Sequence, residues 1–398
     1  MGVTELFSTR PRVLLMLSGL LSMVVMGASQ ALYGPFFPFF AETFGVGASR
    51  LGLLPTAHFA GATTGVLLGG PAIKRFSYAT ILVTGALVLS TGYLTIAFAP
   101  AWWSVLGGAA LIGVGFGLLI HFNMLVDYAF SRLGPSALQL INAGFSIGAI
   151  SAPLLAAGSL RISSTAPAFG TGAAVAFMVL VVLIRNRGTI REAESGKQTA
   201  EQHRPSLRMF LAPLIVFLPL NIIYVGAEAS FSSWIPTHLS ALFTVTVASA
   251  VTSGFWIAFT AGRLVAVPVG LRLSPGILVS GALTLATAGA VLSAAPIALM
   301  APVGYVVAGF ALGPIFPGAV SWVRRSFPLE ADRVIGVIIA SGGVGGMTIP
   351  PLVGLGVEHL GTQAIPLSLA VVLIPGVVVA LTLGRSRSPQ IERSAHAG

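Results

Sequence analysis

The chain has 398 residues, of which 55% are hydrophobic and only 8% are charged, whereas a soluble domain carries roughly 25% charged residues. So few charges cannot cover a globule of this length, and we therefore expect a membrane protein. The absence of cysteine excludes disulfides, thiolate metal sites and iron–sulfur clusters. The net charge of +10 would favour nucleic-acid binding in a soluble protein, so its placement along the chain matters.

Twelve apolar stretches have the length of about 20 residues that a membrane-crossing helix needs. They lie at 13–36, 50–72, 78–98, 102–126, 136–158, 166–185, 209–236, 246–269, 275–295, 297–322, 333–356 and 362–384. Most of the connections between them are short, but the central one is long, polar and charged. The sequence therefore predicts an all-α membrane protein with two six-helix bundles, 1–185 and 209–398, joined by a cytoplasmic linker at 186–208.

Lys and Arg indicate how these spans are oriented. If both termini are cytoplasmic, Arg50 and Arg161 fall on the outer side, Arg263 falls inside a span, and the other 18 of the 21 basic residues fall on the inner side. This distribution predicts an integral protein of a bacterial inner membrane and removes the charge argument for nucleic-acid binding. The segment 27–31 resembles a signal-peptide cleavage site, but cleavage would leave eleven spans, so we expect none.

The two halves repeat each other. "ILVTGALVL" at 81–89 and "ILVSGALTL" at 277–285 share seven of nine residues. A longer segment at 141–158 matches 338–356, and a weaker one at 26–31 matches 225–230. Such repeats are typical of carriers that bind a solute near the midplane between two halves and expose it to each side in turn. Gly and Pro clusters at 34–38, 313–318 and 342–351 predict close helix packing and bends in such gating helices.

The turn "GGPAIKRFSYATIL" at 69–82 carries a family resemblance. With twelve spans, the repeat and a charged central loop, the chain resembles the major facilitator superfamily over essentially its whole length. Arg75 and Phe76 match the family's loop, whereas Lys74 stands at its aspartate position and Ser77 at its second glycine. The resemblance implies the major facilitator fold, with two pseudo-symmetric six-helix bundles.

Four segments resemble one branch of that superfamily, the fucose/glucose-type sugar:proton symporters. They are "NAGFSIGAISAP" (142–153), "YVGAEASFSSWIPTHL" (224–239), "FWIAFTAGRLVAVPV" (255–269) and "GFALGPIFPGAV" (309–320). Gly34 and Ile120 stand at the positions of this branch's proton-carrying acids. The resemblance implies secondary active transport and a sugar-like solute.

Glu228 is the candidate acid for coupling solute movement to protons. It lies within the seventh span, where ionisation is costly and an acid is a functional hypothesis by default. Asn221, Tyr224, Glu228 and Ser232 follow each other at helical spacing, so they form one polar stripe that should face protein or water. The alternative is a structural glutamate that is protonated or paired.

Six further side chains are candidate solute contacts because each places a polar or aromatic group inside a span. They are Gln30 and Tyr33 in the first span, Asn142 in the fifth, Asn221 and Tyr224 in the seventh, and Trp256 in the eighth. The amides and hydroxyls can bond to a polar solute, and the indole can stack on a ring face. For each of them, packing within the helix bundle is the structural alternative.

Arg263 and Asp127 are candidate gating residues. Arg263 lies inside the eighth span and cannot deprotonate, so it needs an anion or water. Asp127, at the inner end of the fourth span, is the nearest acid by depth and a second proton-coupling candidate. Their contact would form an inner gate, assisted by Lys74 and Arg75, unless each pairs locally or reaches the headgroups. His58 and His121 lack partners at metal-ligand spacing, so we expect neither a metal nor another cofactor.

These observations predict a secondary active transporter that moves a small, sugar-like solute by alternating access. The coupling ion is expected to be a proton, with sodium as the alternative, and the partners are the solute and the lipid bilayer around a monomer. An efflux carrier for amphipathic drug-like compounds and a non-transporting receptor or scaffold remain open. An enzyme is not expected, because no paired acids, Ser/His pair, metal set or nucleotide domain is visible.

Overall fold

The computed structural model describes residues 6–130, 133–195, 207–327 and 331–386, and these contain seventeen α-helices and no strand. In the first half the helices are α1 (Arg10–Ala31), α2 (Phe37–Phe44), α3 (Ala48–Leu51), α4 (Leu53–Ala72), α5 (Tyr78–Ala97), α6 (Trp102–Leu119), α7 (Phe122–Phe130), α8 (Gly134–Leu160), α9 (Ala166–Arg185) and α10 (Arg187–Ser195). In the second half they are α11 (Leu207–Ser240), α12 (Val245–Gly270), α13 (Pro275–Ser293), α14 (Met300–Leu312), α15 (Ile315–Ser326), α16 (Ala331–Leu360) and α17 (Ile365–Ser386).

Eleven helical segments in the described residues are long and apolar enough to cross a membrane. Each corresponds to one of the twelve predicted spans, and several extend beyond the prediction, such as Arg10–Phe44 and Trp102–Phe130. The predicted seventh span, 209–236, lies inside the 34-residue helix α11. Among the described residues the count is therefore eleven instead of the predicted twelve, and the predicted seventh span corresponds to the long helix α11.

The chain divides into two compact units, Met1–Gln202 and His203–Gly398. In the first unit, α1 packs on α8, α4 packs on α6, and α5 packs on α6 and α9. Glycines permit these close approaches, because a Cβ added at Gly113 would overlap the carbonyl oxygen of His58 and one at Gly117 would overlap that of Ala62. The α4–α6 contact is therefore a backbone-to-backbone contact, as the glycine pattern predicts.

The second unit repeats this packing. Here α11 packs on α16, α12 packs on α14, and α13 packs on α14 and α17. A Cβ at Gly309 would lie 2.5 Å from the carbonyl oxygen of Phe255, and one at Gly313 would overlap that of Phe259. The two glycines are four residues apart, as in the α4–α6 contact, so the internal repeat of the sequence reappears as a repeated helix–helix contact.

Four of the described spans are interrupted, and in the second the break separates α3 from α4 at Gly52. The first breaks between α1 and α2 at 32–36, next to Pro35, and the tenth breaks between α14 and α15 at Gly313 and Pro314. Proline lacks a backbone N–H and ends a helix, which accounts for both sites. The fourth span breaks between α6 and α7 at Ile120 and His121, where the sequence carries no proline.

The first part of the predicted linker is helical. Arg187–Ser195 forms α10, which packs against α5, α7 and α1 of its own unit. Ile190 is fully buried, and Glu194 accepts a hydrogen bond through Oε2 from the backbone N–H of Tyr78, at 3.2 Å. The rest of that segment up to Ser206, and both chain termini, lie outside the described residues.

Candidate functional site

The second unit brings an acid, a phenol and an arginine together on two consecutive helices, α11 and α12. Tyr224 and Glu228 are one turn apart on α11, and Arg263 lies on α12, which follows α11 after a four-residue connection. Tyr224 stands sixteen residues before the end of α11 and Arg263 eighteen residues after the start of α12. At 1.5 Å per residue these are depths of about 24 and 27 Å from the connection, which explains why the two side chains meet.

The hydroxyl of Tyr224 is adjacent to both charged groups, since it interacts electrostatically with Glu228 and with Arg263. Glu228 is 7% exposed and Tyr224 is 3% exposed, while Arg263 is partly buried. The Tyr224 hydroxyl and Arg263 Nε are both buried, and neither has a hydrogen-bond partner within the described chain. The cluster therefore holds a phenol hydroxyl and a guanidinium Nε that are buried close to an acid.

Aromatic rings enclose this polar cluster. The Arg263 guanidinium carbon lies 4.5 Å from the centre of the Phe259 ring, a cation–π arrangement. Phe316, which follows the break between α14 and α15, stacks on Tyr224 with ring centres 6.3 Å apart. Trp256 packs edge-on against Phe259 at 5.2 Å and is 1% exposed. Trp256 is thus a core side chain here, and its stacking on a solute stays a prediction.

The predicted polar stripe on α11 is buried along its whole length, from Asn221 to Ser232. Asn221 donates a hydrogen bond through Nδ2 to the backbone carbonyl oxygen of Ile338 at 2.6 Å and lies 3.5 Å from the Ser341 hydroxyl. Its amide therefore ties α11 to α16. A solute contact by Asn221 stays a prediction, and the structure assigns its Nδ2 a packing role.

In the first unit, Tyr33 pairs with a histidine on α4. Its hydroxyl lies 3.1 Å from Nδ1 of His58, and both side chains are almost fully buried. Nε2 of His58 has no hydrogen-bond partner among the described residues. Gln30 lies three residues before Tyr33 and is partly buried. Solute binding by Gln30 and by Tyr33 stays a prediction.

The other predicted site residues are placed nearer the chain connections. Asn142 on α8 donates through Nδ2 to the carbonyl oxygen of Leu138 at 2.8 Å and lies 3.4 Å from Oδ1 of Asn123. Asp127 is exposed near the end of α7. Lys74 and Arg75 are exposed in the turn between α4 and α5. The gate between Asp127 and Arg263, and the coupling role of Asp127, stay predictions.

Three features of these clusters were missed from sequence. The stacking of Phe316 on Tyr224 was not predicted, because Phe316 lies in a Gly/Pro cluster and Tyr224 is far from it in the chain. The pairing of Tyr33 with His58 and of Arg263 with Tyr224 depends on helix rotation, which spacing along one helix does not fix. The sequence feature that could have indicated the Tyr33–His58 pair was the isolated His58 inside an apolar span. The described residues contain no cluster of three His, Asp or Glu side chains that could hold a metal ion.

Comparison with known proteins identifies the family of the chain. The Major Facilitator Superfamily model matches the chain over residues 19–244 and again over 217–398. Among curated proteins, the chain is similar to the probable nitrate/nitrite transporter NarK2 of Mycobacterium tuberculosis, with 26% identity over 339 residues, 81% of this chain and 83% of the relative. It is also similar to the glucose/mannose transporter GlcP of Bacillus subtilis, with 23% identity over 376 residues, 89% of this chain and 92% of the relative.

A solved structure of a D-xylose–proton symporter superposes with a TM-score of 0.75 at 16% identity and covers 93% of this chain and 96% of its own. At that identity the likeness shows the fold alone. The family match covers both halves, and the predicted resemblance to the major facilitator superfamily and its sugar transporters is confirmed. The chain belongs to the major facilitator superfamily and is an integral membrane transporter, not an enzyme.

Proposed function

We propose that this transporter is a proton-coupled carrier that moves a small polar solute by alternating access, with Glu228 as the coupling acid. The observation that carries the proposal is the burial of Glu228, 7% exposed and twelve residues from the nearer end of a 34-residue helix. Burying an ionised carboxylate at such a place costs about 2.5 kcal/mol or more on membrane-insertion scales. The cost falls if neighbouring groups compensate the charge. Tyr224 and Arg263 supply that compensation.

Coupling follows if the proton affinity of Glu228 differs between the two states of the carrier. In a state that keeps Arg263 and the Tyr224 hydroxyl beside the carboxylate, the ionised form is stabilised and a proton is released. In a state that separates them, burial favours the protonated form. The free energy that couples proton binding to the change of state cannot exceed this difference in proton affinity.

Three solute classes are compared in the first test. A sugar-like solute is supported by the four sequence segments and by the similarity to GlcP. A small oxyanion is supported by the similarity to NarK2. Efflux of amphipathic compounds is favoured by one observation, the aromatic enclosure of the cluster by Phe259, Phe316 and Trp256. A thermal-shift screen of the purified protein against sugars, nitrate and hydrophobic cations separates these classes.

The coupling proposal is tested with Glu228→Gln, which keeps the shape of the protonated acid. In proteoliposomes the variant should lose accumulation driven by a pH gradient yet retain exchange of labelled solute across the membrane. Glu42→Gln is the matched control, because Glu42 is an exposed acid on α2, and it should behave like wild type. If the Glu228 variant still accumulates solute with wild-type pH dependence, the coupling role is wrong.

The orientation is part of the same proposal: both termini in the cytoplasm, in a bacterial inner membrane, with the carrier acting as a monomer. The chain has no cysteine, so single introduced cysteines report without background. A membrane-impermeant maleimide added to intact cells should label Ala298→Cys, which is exposed in the connection between α13 and α14, on the predicted outer side. It should not label Ser195→Cys at the end of α10. Reversed labelling would overturn the orientation.

A further inference from the structure

The two units differ at one position of their repeated helix packing. In the first unit, a Cβ added at Gly113 of α6 would overlap the carbonyl oxygen of His58 on α4. In the second unit, a Cβ added at Gly309 of α14 would lie 2.5 Å from the carbonyl oxygen of Phe255 on α12. Phe255 therefore takes the place in the second unit that His58 takes in the first.

The ring partners of these two residues differ in the same way. Phe255 stacks on Phe231 of α11, with ring centres 5.8 Å apart. His58 meets the Tyr33 ring edge to face at 5.6 Å, and its Nδ1 lies 3.1 Å from the phenol oxygen. Since two phenyl rings are enough to pack this contact in the second unit, packing does not explain the polar pair in the first.

The pairing with Tyr33 leaves one nitrogen of His58 over. Its Nε2 is buried and has no hydrogen-bond partner in the part of the chain that the structure describes. The rings of Phe59 and Phe116 lie edge to face with the imidazole, at 5.5 and 5.3 Å between centres. A buried polar atom without a partner is uncommon and costs free energy. Nε2 is therefore placed to bond to a group from outside the described chain.

The chemistry of the pair selects the kind of group that fits. In a neutral imidazole one nitrogen donates and the other accepts, and the hydrogen bond at one nitrogen fixes the role of the other. If the Tyr33 hydroxyl donates to Nδ1, then Nε2 donates; if Nδ1 donates to the phenol oxygen, then Nε2 accepts. A hydroxyl group satisfies both tautomers of His58, whereas a carboxylate only accepts and an ammonium only donates. A neutral hydroxyl also avoids burying a charge among phenyl rings.

We propose that Nε2 of His58 binds one hydroxyl group of a neutral polyhydroxylated solute, with Tyr33 orienting the imidazole. The inference rests on the proposed function, because it names a solute class and a contact for the same carrier. This conformation encloses Nε2, and Tyr33 lies within the break of the first span at 32–36. A bend at this break uncovers the nitrogen in the state of the carrier that admits solute. Phe59 and Phe116 supply apolar contacts for the carbon skeleton of the solute.

The test removes one hydroxyl group of the solute at a time. Binding to the purified wild-type protein is measured by calorimetry for glucose, xylose and myo-inositol, and then for the monodeoxy analogues of one that binds. We expect one deoxy position to weaken binding by about three- to tenfold, the usual effect of losing one neutral hydrogen bond. In His58→Phe this position should lose its effect, while the other positions keep theirs. If none of the three solutes binds, or if the deoxy series is the same in both proteins, the inference is wrong and Nε2 holds a buried water at most.

The variants are chosen so that folding and binding can be told apart. His58→Phe copies the residue that the second unit uses at the same contact, so we expect it to fold, and thermal unfolding without solute checks this. If it does not fold, His58→Met takes its place, because methionine is apolar and adapts to irregular surroundings. His58→Gln keeps a group that donates and accepts, so it should recover part of the lost affinity. His359→Phe, at an exposed position of α16, is the matched control and should bind like wild type.

Further outcomes separate this inference from the coupling proposal. A neutral hydroxyl site takes no part in proton release, so His58→Phe should keep the wild-type pH dependence of transport at saturating solute. Loss of that dependence with an unchanged deoxy series would assign His58 to proton transfer and overturn the hydroxyl site. If nitrate and not a polyol is accumulated through Glu228, the coupled carrier stands and the inference falls. If Glu228→Gln changes nothing while the deoxy effect still depends on His58, the coupling proposal falls and the hydroxyl site stands.

Discussion

The Tyr33 hydroxyl lies 3.1 Å from Nδ1 of His58, so the break between α1 and α2 is tied to α4 by one buried hydrogen bond. The two rings also meet edge to face, with centres 5.6 Å apart. Tyr33 sits where the first span loses its helical hydrogen bonds, beside Pro35. The bond therefore fixes a weak point of the first span to its neighbour.

Tyr33→Phe should lower the free energy of unfolding by about 1 kcal/mol, the usual net value of such a bond. The phenyl ring keeps the packing, so the loss reports the hydroxyl, and Nδ1 of His58 is left without this partner. Thermal unfolding in detergent measures the change. Thr91→Val is the control, because the Thr91 hydroxyl bonds to its own helix at an exposed position. An unchanged Tyr33 variant would show that the hydrogen bond does not stabilise the fold.

Asn221→Ala should also destabilise the protein. Its Nδ2 donates to the carbonyl oxygen of Ile338 at 2.6 Å in a buried contact between α11 and α16, so the loss should be about 1–3 kcal/mol. Thr348→Val on α16 is the control, since the Thr348 hydroxyl is exposed and bonds within its own helix. Measuring the solute affinity of the folded variant tests the prediction that Asn221 contacts the solute. A large loss of affinity with unchanged stability would favour direct contact with the solute.

The spans were predictable because the bilayer sets their length and excludes unsatisfied backbone groups, so composition alone marks them. The glycine packing was predictable for the same reason, since small residues let helices touch. The break at Ile120 and His121 was not predictable, because no proline or glycine marks it. Its position depends on contacts made between helices.

The site was predictable along one helix and not between helices. Tyr224 and Glu228 follow from spacing on α11. For Arg263 only the depth within its span was predictable, and depth alone suggested Asp127 as its partner. The structure places Arg263 beside Tyr224 and Phe259 of its own unit. Rotation about the helix axis decides which neighbour a side chain meets, and that rotation is fixed by packing.

Gly262→Ala tests the close packing of α12 on α14. A Cβ at Gly262 would overlap the carbonyl oxygen of Phe310, so the helices must separate. We expect a clear loss of thermal stability, of about 1–3 kcal/mol as for overpacked cores. Gly254→Ala on the same helix is the control, because its nearest neighbour would be 3.7 Å away. That variant should be neutral or slightly stabilised, by up to about 1 kcal/mol from helix propensity. Equal effects at both positions would argue against backbone contact at Gly262.

Glu194→Ala should release α10 from the unit it packs against. The Glu194 carboxylate accepts a hydrogen bond from the backbone N–H of Tyr78 at the first turn of α5, where the helix dipole favours a negative charge. Losing this contact should cost about 0.5–1 kcal/mol of docking free energy. Ile190, fully buried on α10, provides the reporter.

In an Ile190→Cys background, where no other cysteine competes, maleimide labelling measures how often α10 undocks. The Glu194→Ala variant should label faster by about two- to fivefold, the factor that such a free energy implies. Glu192→Ala on the same short helix is the comparison, because Glu192 is exposed, and it should label near the rate of the parent. Equal acceleration by both substitutions would mean that the charge of α10, and not the contact with α5, holds the helix in place.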